Sequence, residues 1–277
     1  MRILKITAVI LSVTVLAVSA VLYFTSRGEK DAPVLNCTVQ SIEGKVGITD
    51  EELLSYVSAN DKQDGDLTDR IKVIRKRYFI KDGSKTTLVT FSVCDSDNNV
   101  TSIQRQLILT DYYSPRIMLE NDLILPGGYR YDLQKYASAN DIIDGDLTNY
   151  LKLISNEFTN TEGVYPVNIK VSNSMADTTE ITVSAIVTDK DYFSVKVLLT
   201  DYITYQPLNA EIDYDSFIKS ITNQTSVQYD VNDIVLDTSA VDVTKAGLYE
   251  AYYKIPADGD SDELVTMTRL FVVITEE

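Results

Sequence analysis

Ser58-Ala-Asn-Asp-Lys-Gln-Asp-Gly-Asp-Leu-Thr68 returns as Ser138-Ala-Asn-Asp-Ile-Ile-Asp-Gly-Asp-Leu-Thr148, with Asp61 and Asp141 offset by 80 residues. A loop recurring at such a spacing marks a repeated structural unit. Working outward, each copy follows a short segment with helical spacing. In the first copy Thr49 and Glu52 have the spacing of a capping box, and Leu53, Tyr56 and Val57 share one face. Strand-like segments come next: Ile71–Ile74, Tyr78–Ile80, the branched and aromatic run Lys85–Cys94, and Val100–Leu109 after the turn Asp95-Ser-Asp-Asn-Asn99.

The second copy runs from Thr110-Asp-Tyr-Tyr-Ser-Pro115, which repeats the entry Asp31-Ala-Pro33, to Val187. A third, worn copy keeps Asp213–Phe217 and Gly247–Ile255 but replaces the Asp-Gly-Asp loop with residues around Asn223-Gln-Thr-Ser-Val227. Short strands with close turn signals predict antiparallel β-sandwiches. A parallel α/β fold needs helices of about ten residues or more between strands, and the pattern lacks them. The expected organisation is a stub, helix and linker over 1–30 and three domains over 31–111, 112–189 and 190–277.

The Asp-to-Pro entry, Ala-x-Asp-x-x-Asp-Gly-Asp-Leu-Thr, Gly-x-Tyr-x-Val-x-x-x-Val and a polar turn resemble the bacterial Ig-like repeat of surface proteins and of a pesticidal crystal protein. The resemblance covers residues 31–189 well and 190–277 weakly. It implies tandem extracellular Ig-like sandwiches serving as adhesion or spacer modules. Lys85-Thr-Thr-Leu stands where Gly-x-Tyr is expected in the first copy, and Ser172-Asn-Ser replaces the Asp turn in the second.

The loops gather Asp61, Asp64 and Asp66, and again Asp141, Asp144 and Asp146. Two carboxylates ~5 Å apart repel by about 3 kcal/mol at an effective dielectric of ~20. A hard cation relieves that, so Ca²⁺ is one reading, with Asp95 and Asp97 as further donors. The other reading is structural: Asp66 and Asp146 accept a backbone N–H of the following turn, and Asp61 and Asp141 hold the loop backbone. The two cysteines, Cys37 in the first strand and Cys94 before the last, suggest a disulfide if the first strand runs beside the last. The alternative is two buried thiols.

The whole-chain balance, 25 basic against 41 acidic residues for a formal −16, sets aside nucleic acid and anionic lipid headgroups as partners of the soluble part. With no His, a His-based triad and a His-bearing zinc site are excluded. Ile6–Phe24 carries no charge, and its 19 residues as a helix span roughly 28 Å, close to a bilayer's hydrocarbon core. Flanking Arg2 and Lys5 favour a cytoplasmic amino terminus and a single-pass cell-membrane protein with extracellular C-terminal domains. Signal cleavage near Val18-Ser19-Ala20, giving a secreted protein, is the alternative.

The expectation is therefore an all-β chain, tandem Ig-like antiparallel β-sandwiches preceded by one amino-terminal transmembrane helix. Its role would be a stalk, adhesion or protein-interaction module contacting another envelope protein or a cell-wall component, without catalysis. A calcium-dependent ectodomain binding a cell-wall glycan or protein competes with it. So does an enzyme of Ser-Lys or carboxylate type, which the repetition of the units disfavours.

Overall fold

The computed structural model describes residues 12–21, 31–81, 84–154, 158–188, 195–223, 228–257 and 263–276. Two compact units divide the chain, Met1–Asp111 and Tyr112–Glu277. The three domains expected from sequence thus fall into two bodies, the second holding two sandwiches.

In the first unit β1 (Val34–Cys37) and β2 (Ser41–Gly44) precede a helical turn, Asp50–Leu54, then β3 (Val57–Asp61), β4 (Gly65–Asp66), β5 (Lys72–Lys81), β6 (Ser84–Cys94) and β7 (Val100–Leu109). The turn starts as its sequence predicts, since the Thr49 hydroxyl accepts from the Glu52 N–H while the Glu52 carboxylate accepts from the Thr49 N–H. Sheet orders are β1-β3-β4 and β2-β7-β6-β5. Leu35, Val57 and Ala59 from one sheet face Ile42, Val89, Phe91, Val93 and Leu107 from the other, and all are buried in a single cluster. Such alternation is what a half-buried strand requires.

Two sequence readings change here. Val57–Asp61 is a strand whose alternate side chains are buried, where the sequence placed Val57 on the helical turn and Ser58–Asp61 in the loop. Its inward positions hid the period of two, because Ala59 is small and Asp61 is a buried carboxylate, so only Val57 carries a strong apolar signal. The segments at 71–74 and 78–80 belong to one strand, β5, interrupted by a bulge between Val73 and Arg75.

The second unit repeats the plan with β8 (Arg116–Leu119), β9 (Ile124–Pro126), β10 (Ala137–Asp141), β11 (Gly145–Asp146), β12 (Lys152–Ile154), β13 (Gly163–Ser172) and β14 (Thr178–Thr188). Its sheets, β8-β10-β11 and β9-β14-β13-β12, match those of the first unit strand for strand. A further sandwich follows: β15 (Val195–Leu199), β16 (Ile203–Pro207), β17 (Ile218–Asn223), β18 (Val235–Asp237), β19 (Gly247–Pro256) and β20 (Leu264–Thr275). It pairs β15-β17 with β16-β20-β19-β18. Among the described residues it has no counterpart of β4 or β11, as loss of the Asp-Gly-Asp loop requires. In all three sandwiches the short second strand lies parallel to the last one, as in β2–β7, β9–β14 and β16–β20.

That pairing corrects the disulfide reading. The strand beside the last one is β2, while β1 pairs with β3, placing Cys37 opposite Val57. The start of β1 lies nearest the Cys94 end, where the Thr101 hydroxyl donates to the Pro33 carbonyl at 2.6 Å, and Cys37 stands at the strand's other end. Both cysteines are free thiols.

One apolar cluster runs through both sandwiches of the second unit, from Ile117, Val167, Ile169 and Ala185 to Ala251, Tyr253, Leu270 and Phe271. Arg269 is buried within the unit, with its side chain 0% exposed. Its Nη2 donates to the carbonyls of Asp122 (2.5 Å) and Ser184 (3.0 Å), and its Nη1 reaches Ser184 Oγ (2.5 Å) and Glu250 Oε2 (3.3 Å). Tyr205 adds a second clamp: its hydroxyl donates to the Ile117 carbonyl and accepts from the Ile117 N–H. Replacing Arg269 with Met leaves buried acceptors without a donor and should cost about 2–4 kcal/mol. Hydrogen exchange by mass spectrometry is expected to show protection lost across 112–277 and kept across 31–111.

Residues 12–21 are helical, and Val13, Val15, Leu16, Val18 and Val21 are each more than half exposed. Among the described residues no helix is long and apolar enough to cross a membrane. The remainder of the apolar run 6–24 lies outside the described residues.

Candidate functional site

Strand pairing delivers the repeated carboxylates to their places. β3 ends at Asp61, the chain turns through Gly65, and β4 returns to pair Gly65 with Asp61 and Asp66 with Asn60. Gly65 and Gly145 have φ of +77° and +72°, the left-handed region that glycine occupies without strain. The turn points two backbone N–H groups at a side chain. Asp61 Oδ1 accepts from Gln63 and Asp64 N–H at 2.8 and 2.9 Å, and Asp141 Oδ1 accepts from Ile143 and Asp144 N–H at 2.9 Å each. Both carboxylates are buried, Asp141 to 1% exposure.

The middle carboxylate reaches across to the turn between the last two strands. Asp64 accepts from the Ser96 N–H (2.7 Å) and hydroxyl (2.8 Å), and Asp144 accepts from the Ser174 N–H (2.6 Å) and hydroxyl (2.8 Å). The third carboxylate closes the following turn, as Asp66 and Asp146 each accept from the N–H of Thr68 and Thr148 at 2.9 Å. The threonine hydroxyls then accept from the Ala59 and Ala139 N–H groups on the preceding strands. In both copies one loop is thus bound to its own strand, to the facing turn and to the next helical turn.

The facing turn has its own repeated geometry. Asp95 Oδ1 accepts from the Asn99 N–H, and at the matching place Asn173 Oδ1 accepts from the Asp177 N–H. Asn173 Nδ2 donates to Asp141 Oδ2 (3.1 Å) and to the Tyr112 hydroxyl (2.9 Å), which itself donates to Asp177 Oδ2 (2.6 Å). Burial, with the Asp177 carboxylate beside it, pushes the Tyr112 hydroxyl well above the ordinary phenol range. Ser96, Ser174, Asn173 and Tyr112 were not singled out as members of the site. Their signal was the polar turn at the same offset in both copies, readable only once the loop and the turn are known to touch. The Pro entries join the same end: the Thr101 hydroxyl donates to Pro33, and that of Thr179 to Pro115.

Among the described residues no three of His, Cys, Asp and Glu gather so as to hold a metal ion. Each of the six loop carboxylates instead serves backbone or hydroxyl donors, and we propose a structural latch as their role. Hydrogen bonds from Ser96, its hydroxyl first and then its N–H, hold Asp64 below the usual carboxylate range, and Thr68 and Thr148 do the same for Asp66 and Asp146. Asp122 departs the other way, because burial raises it.

No protein-family model matches the chain, and no curated protein matches it. Among solved structures, the M60 catalytic domain with the CBM51-1 and CBM51-2 domains of Clostridium perfringens ZmpB is 13% identical over 60% of this chain and 31% of that one, with a TM-score of 0.25. The Protocadherin GammaB4 extracellular domain is 9% identical over 89% of this chain and 51% of that one, with a TM-score of 0.20. The human Desmocollin-1 ectodomain is 11% identical over 89% and 62%, with a TM-score of 0.18. This chain therefore spans about a third of the first and half of the second. TM-scores this low carry no argument for a shared activity.

Two outcomes follow for the site. Asp141→Ala strands two buried N–H groups and an amide, and should lower stability by about 2–3 kcal/mol in chemical denaturation. Millimolar calcium after chelation is expected to leave the melting temperature unchanged; a rise of several degrees would restore the ion reading.

Stability should also follow pH in a definite way. The lowered carboxylates contribute stability that is present above the ordinary range and lost as pH falls through their folded values. The raised Asp122 acts oppositely, so stability rises as pH falls toward that range, near 4. Denaturation across pH should show a maximum on the acid side of neutrality and a fall below about pH 4, with Asp122→Asn abolishing the rise.

Proposed function

We propose that this chain is a membrane-anchored, extracellular protein of bacterial type whose β-sandwiches form a stalk or interaction module for another envelope protein or a cell-wall component. The observation that carries the reading is the pairing of a latched, repeated scaffold with an apolar amino-terminal segment. The described part of that segment is a helix whose valines and leucine lie open. An exposed apolar helix is stable only when something covers it, and the uncharged run Ile6–Phe24 has the length for lipid.

The scaffold suits load or spacing. Hydrogen-bonded loops tie strand ends together in both copies, and Arg269 and Tyr205 fix the last two sandwiches against each other. Repeated units of this kind present surfaces rather than perform chemistry, and the reading assigns no catalytic residue.

Expressed in a bacterial host, the full chain is expected to sediment with membranes after alkaline carbonate and to be digested by protease added outside spheroplasts. Deleting residues 6–24 should leave it in the soluble cytoplasmic fraction. Shortened protein in the medium would replace the anchor with a cleaved signal, and protection from external protease would overturn the extracellular placement.

A further inference from the structure

The net charge conceals an uneven division. Residues 112–277 carry 11 basic and 27 acidic side chains, a formal −16, whereas residues 31–111 carry 10 and 13, a formal −3. Half of those 10 fall within residues 70–78, which contain no acid: Arg70, Lys72, Arg75, Lys76 and Arg77.

Most of this cluster lies on β5, the outer strand of its sheet. At the equivalent place β18 has 3 residues, while β5 has 10. Short edge strands are a normal protection against unwanted pairing, and the first unit departs from it. Lys72, Arg75 and Arg77 stand opposite Ser92, Thr90 and Leu88, on the face turned away from the buried Val89, Phe91 and Val93. All three cations are exposed. The bulge leaves Ile74 outside the ladder and 58% exposed among them.

Lys76 works differently. Its ammonium holds Asp50 Oδ1 at 2.9 Å and the Ile48 carbonyl at 3.2 Å, and the helical turn packs against β5 there. With a bulge on one side and that turn on the other, the strand's backbone is poorly placed to recruit another strand. What the edge offers is a row of cationic side chains around an exposed isoleucine.

We propose that this edge rests on anionic lipid headgroups of the membrane that the amino-terminal segment enters. The proposal builds on the anchoring reading. Six residues, 25–30, separate the apolar run from the first sandwich, a reach of at most about 20 Å. A tether of that reach lets the edge come down onto the surface, where its cations feel a potential that decays over roughly 8 Å at physiological salt. Each basic residue near the surface strengthens partitioning roughly five-fold, and Ile74 adds an apolar contact at headgroup level. The −16 carried by residues 112–277 is repelled from the same surface. Charge thereby selects which part of the chain meets lipid.

The test uses the full chain with Cys37 and Cys94 changed to Ser and an environment-sensitive fluorophore on Ile74→Cys. It is reconstituted into phosphatidylcholine vesicles with or without about one third phosphatidylglycerol. The expected result is a blue shift, with quenching by headgroup-level quencher lipids, in the anionic vesicles only. Salt of about 0.5 M should remove it, as should the triple variant K72E/R75E/R77E, with R75Q giving a partial loss. Equal spectra in the two vesicle types overturn the proposal. So does a blue shift that headgroup-level quencher lipids leave unquenched, which would place the label away from lipid. If the chain washes off in carbonate but its label still responds to added anionic vesicles, the anchor fails and the lipid contact stands.

Discussion

A buried carboxylate that accepts two backbone N–H groups sets the form of this protein. Asp61 and Asp141 sit at the end of a strand, ahead of a glycine in the left-handed region, and the turn closes over them. An unsatisfied N–H in such a place costs as much as a lost hydrogen bond, so the side chain and the turn stabilise each other. Once closed, the turn aims Asp64 and Asp144 at the serine of the facing turn, and the open end of each sandwich is tied shut. The third sandwich lacks this latch and lies instead in one body with the second, through a shared apolar cluster and the Arg269 guanidinium.

Arg269 makes that union directional. An apolar contact alone tolerates sliding, whereas a planar guanidinium engaged with the carbonyls of Asp122 and Ser184 accepts one arrangement. Glu250 shares the same charge and also accepts from the Ser184 hydroxyl, so strands β14, β19 and β20 meet at one polar point inside an otherwise apolar cluster. Burying a charge is costly unless it is paired, and here both terminal nitrogens of the guanidinium are engaged while its buried Nε has no hydrogen-bond partner among the described residues.

The two units also differ in what they present to their surroundings. One is nearly neutral, with its cations concentrated along a long outer strand, and the other carries the chain's entire net negative charge. In the proposed anchored state this separation would orient the chain, because the surface potential of anionic lipid acts on local charge rather than on the sum. The whole-chain total of −16 does not record this uneven division, because a sum discards position.

The sequence by itself determined the repeat, the all-β class, the capping box at Thr49 and the backbone-holding role open to Asp61, Asp66, Asp141 and Asp146, since these rest on spacing and local hydrogen bonding. It left Val57–Asp61 unread as a strand, because two of its three buried positions are the small Ala59 and the carboxylate Asp61, which give no apolar alternation. It also placed Cys37 near Cys94, on the assumption that the first strand lies beside the last. Tertiary structure alone decided that β2 takes that position, that Ser96 and Ser174 receive Asp64 and Asp144, and that Arg269 lies buried between sandwiches. Each of these joins residues 30 or more positions apart. Such contacts follow from how two sheets stack, and stacking depends on the summed shape of a core that no local pattern of residues records.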